Sequence, residues 1–544
     1  MPVVIPTITS DGNKLEPAIE LVSLEVSSEL DRIPEARMTL IDGTSSIREF
    51  KLANAAFFAP GKRVTIQLRA GDVPDEQVFE GLVVRQAIDI GPDGIELRVE
   101  LRDPAVVLTR KRKSAVHREL ADDEIISRLV ADAGLKTDKV DPTAVKHKEL
   151  VQFNVSDWDF ILSRADVNGL VVVVVDGVVS ARAMNADEPA AFKLEYGLDP
   201  LHSLELELDA GGQWAKVSGV AWDAAEQATS EPVDAADLEP AAGDLDVAAV
   251  ATTLGGDAFM LHHPVALVPD EIGPWASARL ARSRLALLRG RIVIDGRADM
   301  RPFDHIDLAG LGKRYDGKLL VSGVTQRVDQ DGWRTELQIG LSPDWFARTP
   351  DIADLPAGGL LPAVNSLQIG VVTAFEADPD GEHRVKVQLP GLDHADNAVW
   401  ARVARPDAGK DRGFTFWPEP KDEVVVGFLG GDPRHAVVLG SLHGATNSPP
   451  KAVDAPSEKN PMRGIISRSG VELTFDDDKI AFTLKTPAGN TVVVDDDAKA
   501  ITLADQHGNK ITMDDKGITL VSAKDLALEA SGNVTIKGSA VDIK

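Results

Sequence analysis

The side chains best equipped for chemistry in this sequence are carboxylates, and three groups of them are consecutive: Asp476 to Asp478, Asp495 to Asp497, and Asp514 with Asp515. Hard cations want several carboxylate oxygens together. Asp is equally at home in tight turns, where it bonds its own backbone, and none of these groups has the EF-hand spacing, so the conformational reading is preferred. His262-His263 has the look of a ligand pair, but neighbours on a strand point to opposite faces and a structural role is expected. Asp378-Pro-Asp-Gly381 resembles a fragment of a calcium loop and reads more simply as a β-turn. The basic run Arg110-Lys-Arg-Lys113, continued by His117 and Arg118, lacks the interleaved aromatics of a nucleic-acid site. It is expected to be a solvated face or a contact with an acidic neighbour subunit.

Nothing else in the chain forms a catalytic signature: there is no G-x-S-x-G elbow, P-loop, H-E-x-x-H or strand-linked G-x-G-x-x-G. The chain has no cysteine, which removes disulfides, thiolate metal sites and thiol nucleophiles. Two carboxylates brought together only by folding leave no local trace, so a glycan hydrolase stays open as an alternative. Neither a metal nor a cofactor is expected.

The elements that carry these residues belong to a large acidic protein. At roughly 150 residues per domain, 544 residues make about three or four domains. There are 58 Lys and Arg against 86 Asp and Glu, a formal charge of −28, which argues against a nucleic-acid or anionic-membrane binder. The N-terminus has no basic region before an apolar one, so the protein is expected to be made in the cytoplasm without a signal peptide. The apolar run from Leu170 to Val175 is far short of a membrane span.

Up to about residue 110 the sequence alternates as strands do, for example Val22, Leu24 and Val26 or Ile95, Leu97, Val99 and Leu101. Two helices follow. One has Asp122, Asp123 and Glu124 in its first turn and stops at Gly134; the other opens at Ser156, closes at Asn168-Gly169 and buries Trp158, Ile161, Leu162 and Ala165. From Val217 to Ala278 there is no Lys or Arg but there are eleven acids, and residues 223–246 read as a mobile acidic loop. A third helix is expected from about Trp275 to Arg289, with strands resuming at Ile292. The Pro- and Gly-containing stretch from Thr349 to Val364 reads as the main domain boundary, and a second, polar loop runs from Gly444 to Pro461.

The last 80 residues repeat short apolar doublets: Leu473/Phe475, Ile480/Phe482, Val492/Val494, Ile501/Leu503, Ile511/Met513, Ile518/Leu520, Leu526/Leu528, Val534/Ile536 and Val541/Ile543. A longer echo places LTFDDD at 473, VVVDDD at 492 and ITMDD at 511, 19 residues apart twice. A four-residue strand buries too little to hold itself, so such units must stack. Three chains winding together would bury these side chains on a shared axis and leave no free edge. A β-sandwich or single-chain solenoid remains the alternative.

Several long stretches together resemble one family, the VgrG spike proteins of contractile injection systems, related to the hub and needle of contractile-tailed phages. LTRKRKSAVHRELADDEIISRLVADAGL, SDWDFILSRADVNGL and ASARLARSRLALLRGRIVIDG are similar to its hub region. IGVVTAFEADPDGEHRVKVQLPGL and GFTFWPEPKDEVVVGFLGGDPRHAVVLGSLHG look like its OB-fold module, through Trp400, Pro418, Asp422, Glu423, Gly430, Gly431, Asp432, Pro433 and Gly440. GIISRSGVELTFDDD resembles the start of the needle in the extracellular, phage-tail-like branch.

The resemblance implies a mainly β fold with a small α+β part: β-barrel hub domains over 1–348, a linker over 349–365, an OB-fold collar over 366–448 and a C-terminal trimeric β-helix or β-prism over 463–544. It implies a non-enzymatic homotrimer that joins a sixfold tube to a threefold needle and punctures an envelope. The membrane is then met only during puncture, and inner tube and baseplate proteins bind the hub. The needle core would be Leu473, Phe475, Val492, Val494, Ile501, Leu503, Ile511, Met513, Ile518, Leu520, Leu526 and Leu528. Val534, Ile536, Val541 and Ile543 would dock a PAAR-repeat tip protein. Some phage relatives carry a lysozyme domain between OB-fold and needle, and some type VI relatives an effector after it. Too few residues lie between Leu442 and the first repeat for the former, and the sequence stops inside the repeat, so neither is expected. A phage tail hub is the nearest alternative, and release of the particle from the cell is left open.

Overall fold

The computed structural model describes residues 4–43, 49–70, 74–91, 94–185, 188–239, 242–391, 398–453 and 457–544. The chain divides into two compact units between Asp354 and Leu355.

In the first unit, alternation of apolar and polar residues gives a 13-stranded sheet. Leu21–Glu29, Glu35–Ile41, Gly94–Arg102, Glu76–Gly91 and Arg63–Ala70 follow one another antiparallel and bury Leu24, Met38, Ile66, Leu97 and Leu101 around Phe58. Gly317–Asp329 pairs with Leu21–Glu29, so Val324 lies opposite Ser28 and residues some 300 positions apart share one ladder. Beyond it, Gly332–Ile339, Leu288–Asp295 and Leu201–Leu208 extend the sheet over a second core containing Ile292, Ile306, Val321 and Leu337.

Helices α1 (Asp122–Asp132) and α2 (Asp157–Val167) follow the sequence closely. The Ser156 hydroxyl accepts a hydrogen bond from the Asp159 amide, and Trp158, Ile161, Leu162 and Ala165 are buried with Ile125, Ile126 and Leu129 of α1. Within the segment expected to be a mobile loop, Ala228–Thr229 and Val233–Asp234 both pair with Val217–Asp223, the other described residues are mostly irregular, and α3 (Val247–Thr253) follows. Ser218 donates to Asp234 and the Ala221 amide to Ser230. Pro240 and Ala241 of the acidic stretch lie outside the described residues, as do residues 454–456 of the second polar loop.

The third long helix, α4, runs Pro269–Leu285 rather than from Trp275 to Arg289. Pro269 suits a first helical turn, where its missing N–H costs nothing, and the Val268 amide donates to Glu271. The helix accommodates an internal proline, Pro274, and Arg289 belongs to the strand Leu288–Asp295. The basic run is also corrected in part, because Arg112 donates to Asp351 and to the Ile352 carbonyl, while Lys113 pairs with Asp157 at 2.9 Å. Those two cations hold the chain's own segments together. Among the described residues no helix is long and apolar enough to cross a membrane.

The second unit opens with a closed barrel of Gln368–Val372, Val385–Gln388, Val399–Val403, Ala436–Leu442 and Glu423–Phe428. Its buried interior includes Val372, Val387, Ala401, Val424, Val426 and Val438, with the partly buried Leu389 and Phe428 packed against them. Asp378-Pro-Asp-Gly381 forms the expected turn: the Gly381 amide donates to the Asp378 carbonyl at 3.1 Å, and φ is +68° at Gly381. The Arg384 guanidinium beside Asp378 holds that carboxyl well below the usual range. A seven-stranded sheet follows, formed by Met462–Ile466, Glu472–Asp476, Ala481–Lys485, Thr491–Asp495, Ala500–Ala504, Lys510–Asp514 and Gly517–Val521, each antiparallel to the next.

Candidate functional site

The register of this last sheet sorts its side chains into columns. Leu473, Leu484, Val492, Leu503, Ile511 and Leu520 stand opposite one another across successive strands. So do Phe475, Phe482, Val494, Ile501, Met513 and Ile518, two residues along each strand and therefore on the same face. The phenyl rings of Phe475 and Phe482 lie 5.7 Å apart. The opposite face carries Thr474, Thr483, Val493, Thr502, Thr512 and Thr519, again in one column. β-branched threonine suits a pleated strand and a wet surface together.

The apolar face is bare. Phe475 is 43% exposed, Met513 40% and Ile518 74%, with Leu484, Val494, Ile501, Leu503 and Leu520 also exposed. Among the described residues of this unit no second layer covers that face, and a contiguous apolar patch of this kind marks an interaction surface.

The Asp clusters serve the turns. Asp476 accepts from the Lys479 amide at 3.2 Å, Asp495 from Ala498 at 2.8 Å and Asp514 from Lys516 at 2.8 Å. At the other end of the sheet the 19-residue period has a signal that apolar doublets do not reveal, namely Gly489-Asn490 and Gly508-Asn509. Asn490 accepts from the Gln506 amide and Asn509 from the Ala523 amide, so each turn is tied to the next. The doublet expected at Ile480/Phe482 is shifted by two residues: Ile480 sits in a turn with φ +52°, and Phe482 with Leu484 faces the apolar side.

Beyond Val521 the expected strands do not form in the single chain. Leu526, Leu528, Val534, Ile536, Val541 and Ile543 are exposed and none lies in a strand. A strand exists only where a neighbour takes its amides and carbonyls, and among the described residues no segment pairs with this one. Elsewhere, His262 is exposed while the half-buried His263 ring bonds the Val265 carbonyl at 2.9 Å, so the pair diverges as a strand requires.

A closed five-stranded barrel followed by a one-layer repeat sheet with an uncovered apolar face is the architecture of a baseplate spike, and the comparisons agree. The model of the type VI secretion system/phage-baseplate injector OB domain matches residues 368–443, and that of the phage baseplate V C-terminal trimerisation domain matches 481–544. The chain belongs to the family whose model is described as the Alg8 N-terminal domain, matched over residues 1–330, and it is similar to VgrG-type spike proteins. The type VI secretion system spike protein VgrG2a of Pseudomonas aeruginosa is 33% identical over 142 residues, which cover 24% of this chain and 16% of that protein. The actin cross-linking toxin VgrG1 of Vibrio cholerae is 31% identical over 121 residues, 20% of this chain and 11% of that protein. The chain thus spans a small part of the length of both relatives. A tail protein from Neisseria meningitidis superposes with a TM-score of 0.46 at 14% identity, covering 64% of this chain and 99% of that one.

Proposed function

We propose that the protein is the homotrimeric, non-enzymatic central spike of a contractile injection baseplate. Residues 1–348 act as the hub that adapts a sixfold tube to a threefold needle, 349–365 as the linker, 366–448 as the collar and 463–544 as the needle. The observation that carries the proposal is the bare apolar face of the repeat sheet, lying largely inside the segment matched by a trimerisation domain. Three copies turning that face inward would bury Leu473, Phe475, Val492, Val494, Ile501, Leu503, Ile511, Met513, Ile518 and Leu520 on one axis, and the threonine column would face water. Leu526 and Leu528, followed by Val534, Ile536, Val541 and Ile543, would gain strand partners only from neighbouring copies.

Mechanically, sheath contraction supplies the work, and the needle has only to resist buckling. A prism of shared strands does so because it leaves no edge to peel. The particle is assembled from protein made in the cytoplasm, with the tube and baseplate at the hub end and a PAAR-repeat tip protein on Val534, Ile536, Val541 and Ile543. The toxin activity named for the Vibrio relative belongs to that protein, of which the aligned stretch is 11%. A phage tail hub is the second reading, since the matched OB domain is described for both settings.

The test is co-purification of a PAAR-repeat protein with the full chain and with a chain lacking 534–544. Both chains should be trimers, and only the full chain should retain the tip. A tip retained by the shortened chain would refute the docking site, and a monomeric full chain would refute the spike.

A further inference from the structure

Inside the first unit, α1, α2 and α4 converge with Trp345 on a cavity of about 380 Å³ that the spike function does not use. That volume lies within the roughly 300–1,000 Å³ of sites that take small ligands. One wall is a closed ionic cluster. Arg164 grips the buried Asp122 through Nε and Nη2 at 2.6 and 2.9 Å, and Asn168 Nδ2 and His147 Nε2 reach the same carboxylate at 2.8 and 3.1 Å. The other ring nitrogen of His147 is 3.6 Å from Glu271. Arg282, also buried, is matched by Asp166 at 2.9 Å.

Arg279 is different. Its guanidinium lies 4.2 Å from the centre of the Trp345 ring, and Trp275 stands edge-on to Trp345 with the ring centres 6.4 Å apart. Nη1 donates to the Pro343 carbonyl at 3.2 Å, while the buried Nε has no acceptor. Among the described residues no carboxylate stands within ion-pair distance of it. Burial, with Arg348 nearby, pushes the Arg279 pKa down to about 10 although Asp166 and Asp344 pull it partly back, so the group is still charged near neutrality and lacks the direct ion pair its neighbours have. A half-desolvated arginine stacked on indole is a ready partner for an anion, because charge-assisted hydrogen bonds to a planar carboxylate replace the water it has lost. The walls around it, Trp275, Trp345, Leu267 and the half-buried His263, suit a flat apolar body.

We propose that this cavity binds an aromatic carboxylate, its acid group on Arg279 and its ring against Trp275 and Trp345. The chemistry is shared by a free aromatic acid and by the C-terminal residue of a peptide.

Calorimetric titration of the full chain distinguishes these, using N-acetyl-L-phenylalanine, its neutral amide, and the tetrapeptide Ala-Ala-Ala-Phe with a free C-terminus. The acid should bind at least about tenfold more tightly than the amide, the difference a charged hydrogen-bond pair commonly makes. Tighter binding of the tetrapeptide assigns the site to a peptide terminus, and equal or weaker binding to a free acid. Arg279→Met, which keeps the apolar stem, should bind the acid no better than the amide while its thermal midpoint stays near that of the parent. If that variant fails to fold, Arg279→Lys carries the test: charge retained without the planar fork should weaken the acid several-fold and preserve its advantage over the amide. Acid and amide bound alike, neither bound at millimolar concentration, or unchanged acid binding by the soluble variants would overturn the proposal.

Discussion

Asp103 is a residue on which the hub's stability turns with pH. It is buried at the end of the strand Gly94–Arg102, and its two carboxylate oxygens accept from the Ala105 and Gly177 amides at 2.7 and 2.9 Å. Burial pushes its pKa up to about 6 from an ordinary 3.8, against the pull of those amides and with Asp176 and Glu80 adding to the push. A carboxyl that holds its proton more tightly when folded contributes most below its unfolded pKa and loses that contribution as pH rises through the folded one. Above the isoelectric point of 4.8, the accessible part of that loss falls between pH 5 and 7 and amounts to about 1 kcal/mol. Urea unfolding of the parent and Asp103→Asn at both pH values should show the parent losing that much relative to the variant. A difference that does not move with pH would contradict the assignment. No sequence pattern marks Asp103, because its environment comes from the turn at Asp176-Gly177, more than 70 residues later.

Among the elements, the repeat sheet has two faces with opposite tolerances. Val494 lies in the middle of the apolar face between Phe482 and Ile501, whereas Thr502 lies on the threonine face. Val494→Asp would place three carboxylates on the shared axis, and it should convert trimers to monomers while unfolding of the hub is unchanged. Thr502 is half-buried on that face, and Thr502→Ser should leave the trimer intact and shift stability by no more than about 1 kcal/mol, the loss of one partly buried methyl. Sedimentation of both variants checks this, and a trimeric Val494→Asp would show that the face is not the interface. Helix α1 was legible from its acidic first turn and Gly134 stop, and α2 from its Ser156 cap and Asn168-Gly169 stop, each within about a dozen residues. The apolar doublets were legible as far as Leu520 for a similar local reason, their alternation. Ile480 was misassigned because a β-branched residue in a left-handed turn violates the local preference that identifies strands. Composition does not register that Asp234 and Ser230 of the acidic stretch tie it to Val217–Asp223.

For the whole molecule, the excess charge is less exposed to partners than its total suggests. The stretch from 217 to 278 contains no base, yet its Asp234 pairs with Lys216, Asp237 with Arg284 and Asp244 with Arg314, all cations from outside it. The segment after Asp454 has 11 bases and 14 acids and is nearly neutral, as suits chains meant to lie side by side. Three copies would total −84, three times −28, most of it on the part before the needle, which favours basic partners there. Under the proposed trimer, the strand partners of residues beyond Val521 lie in other copies, which is why these residues form no strand in the single chain.

The central claim is therefore about copy number, and the mass of the full chain in solution tests it most directly. Native mass measurement at low micromolar concentration should give about 174 kDa, three times 58.1 kDa, with no populated dimer. A single species at 58.1 kDa whose repeat sheet remains folded would contradict it.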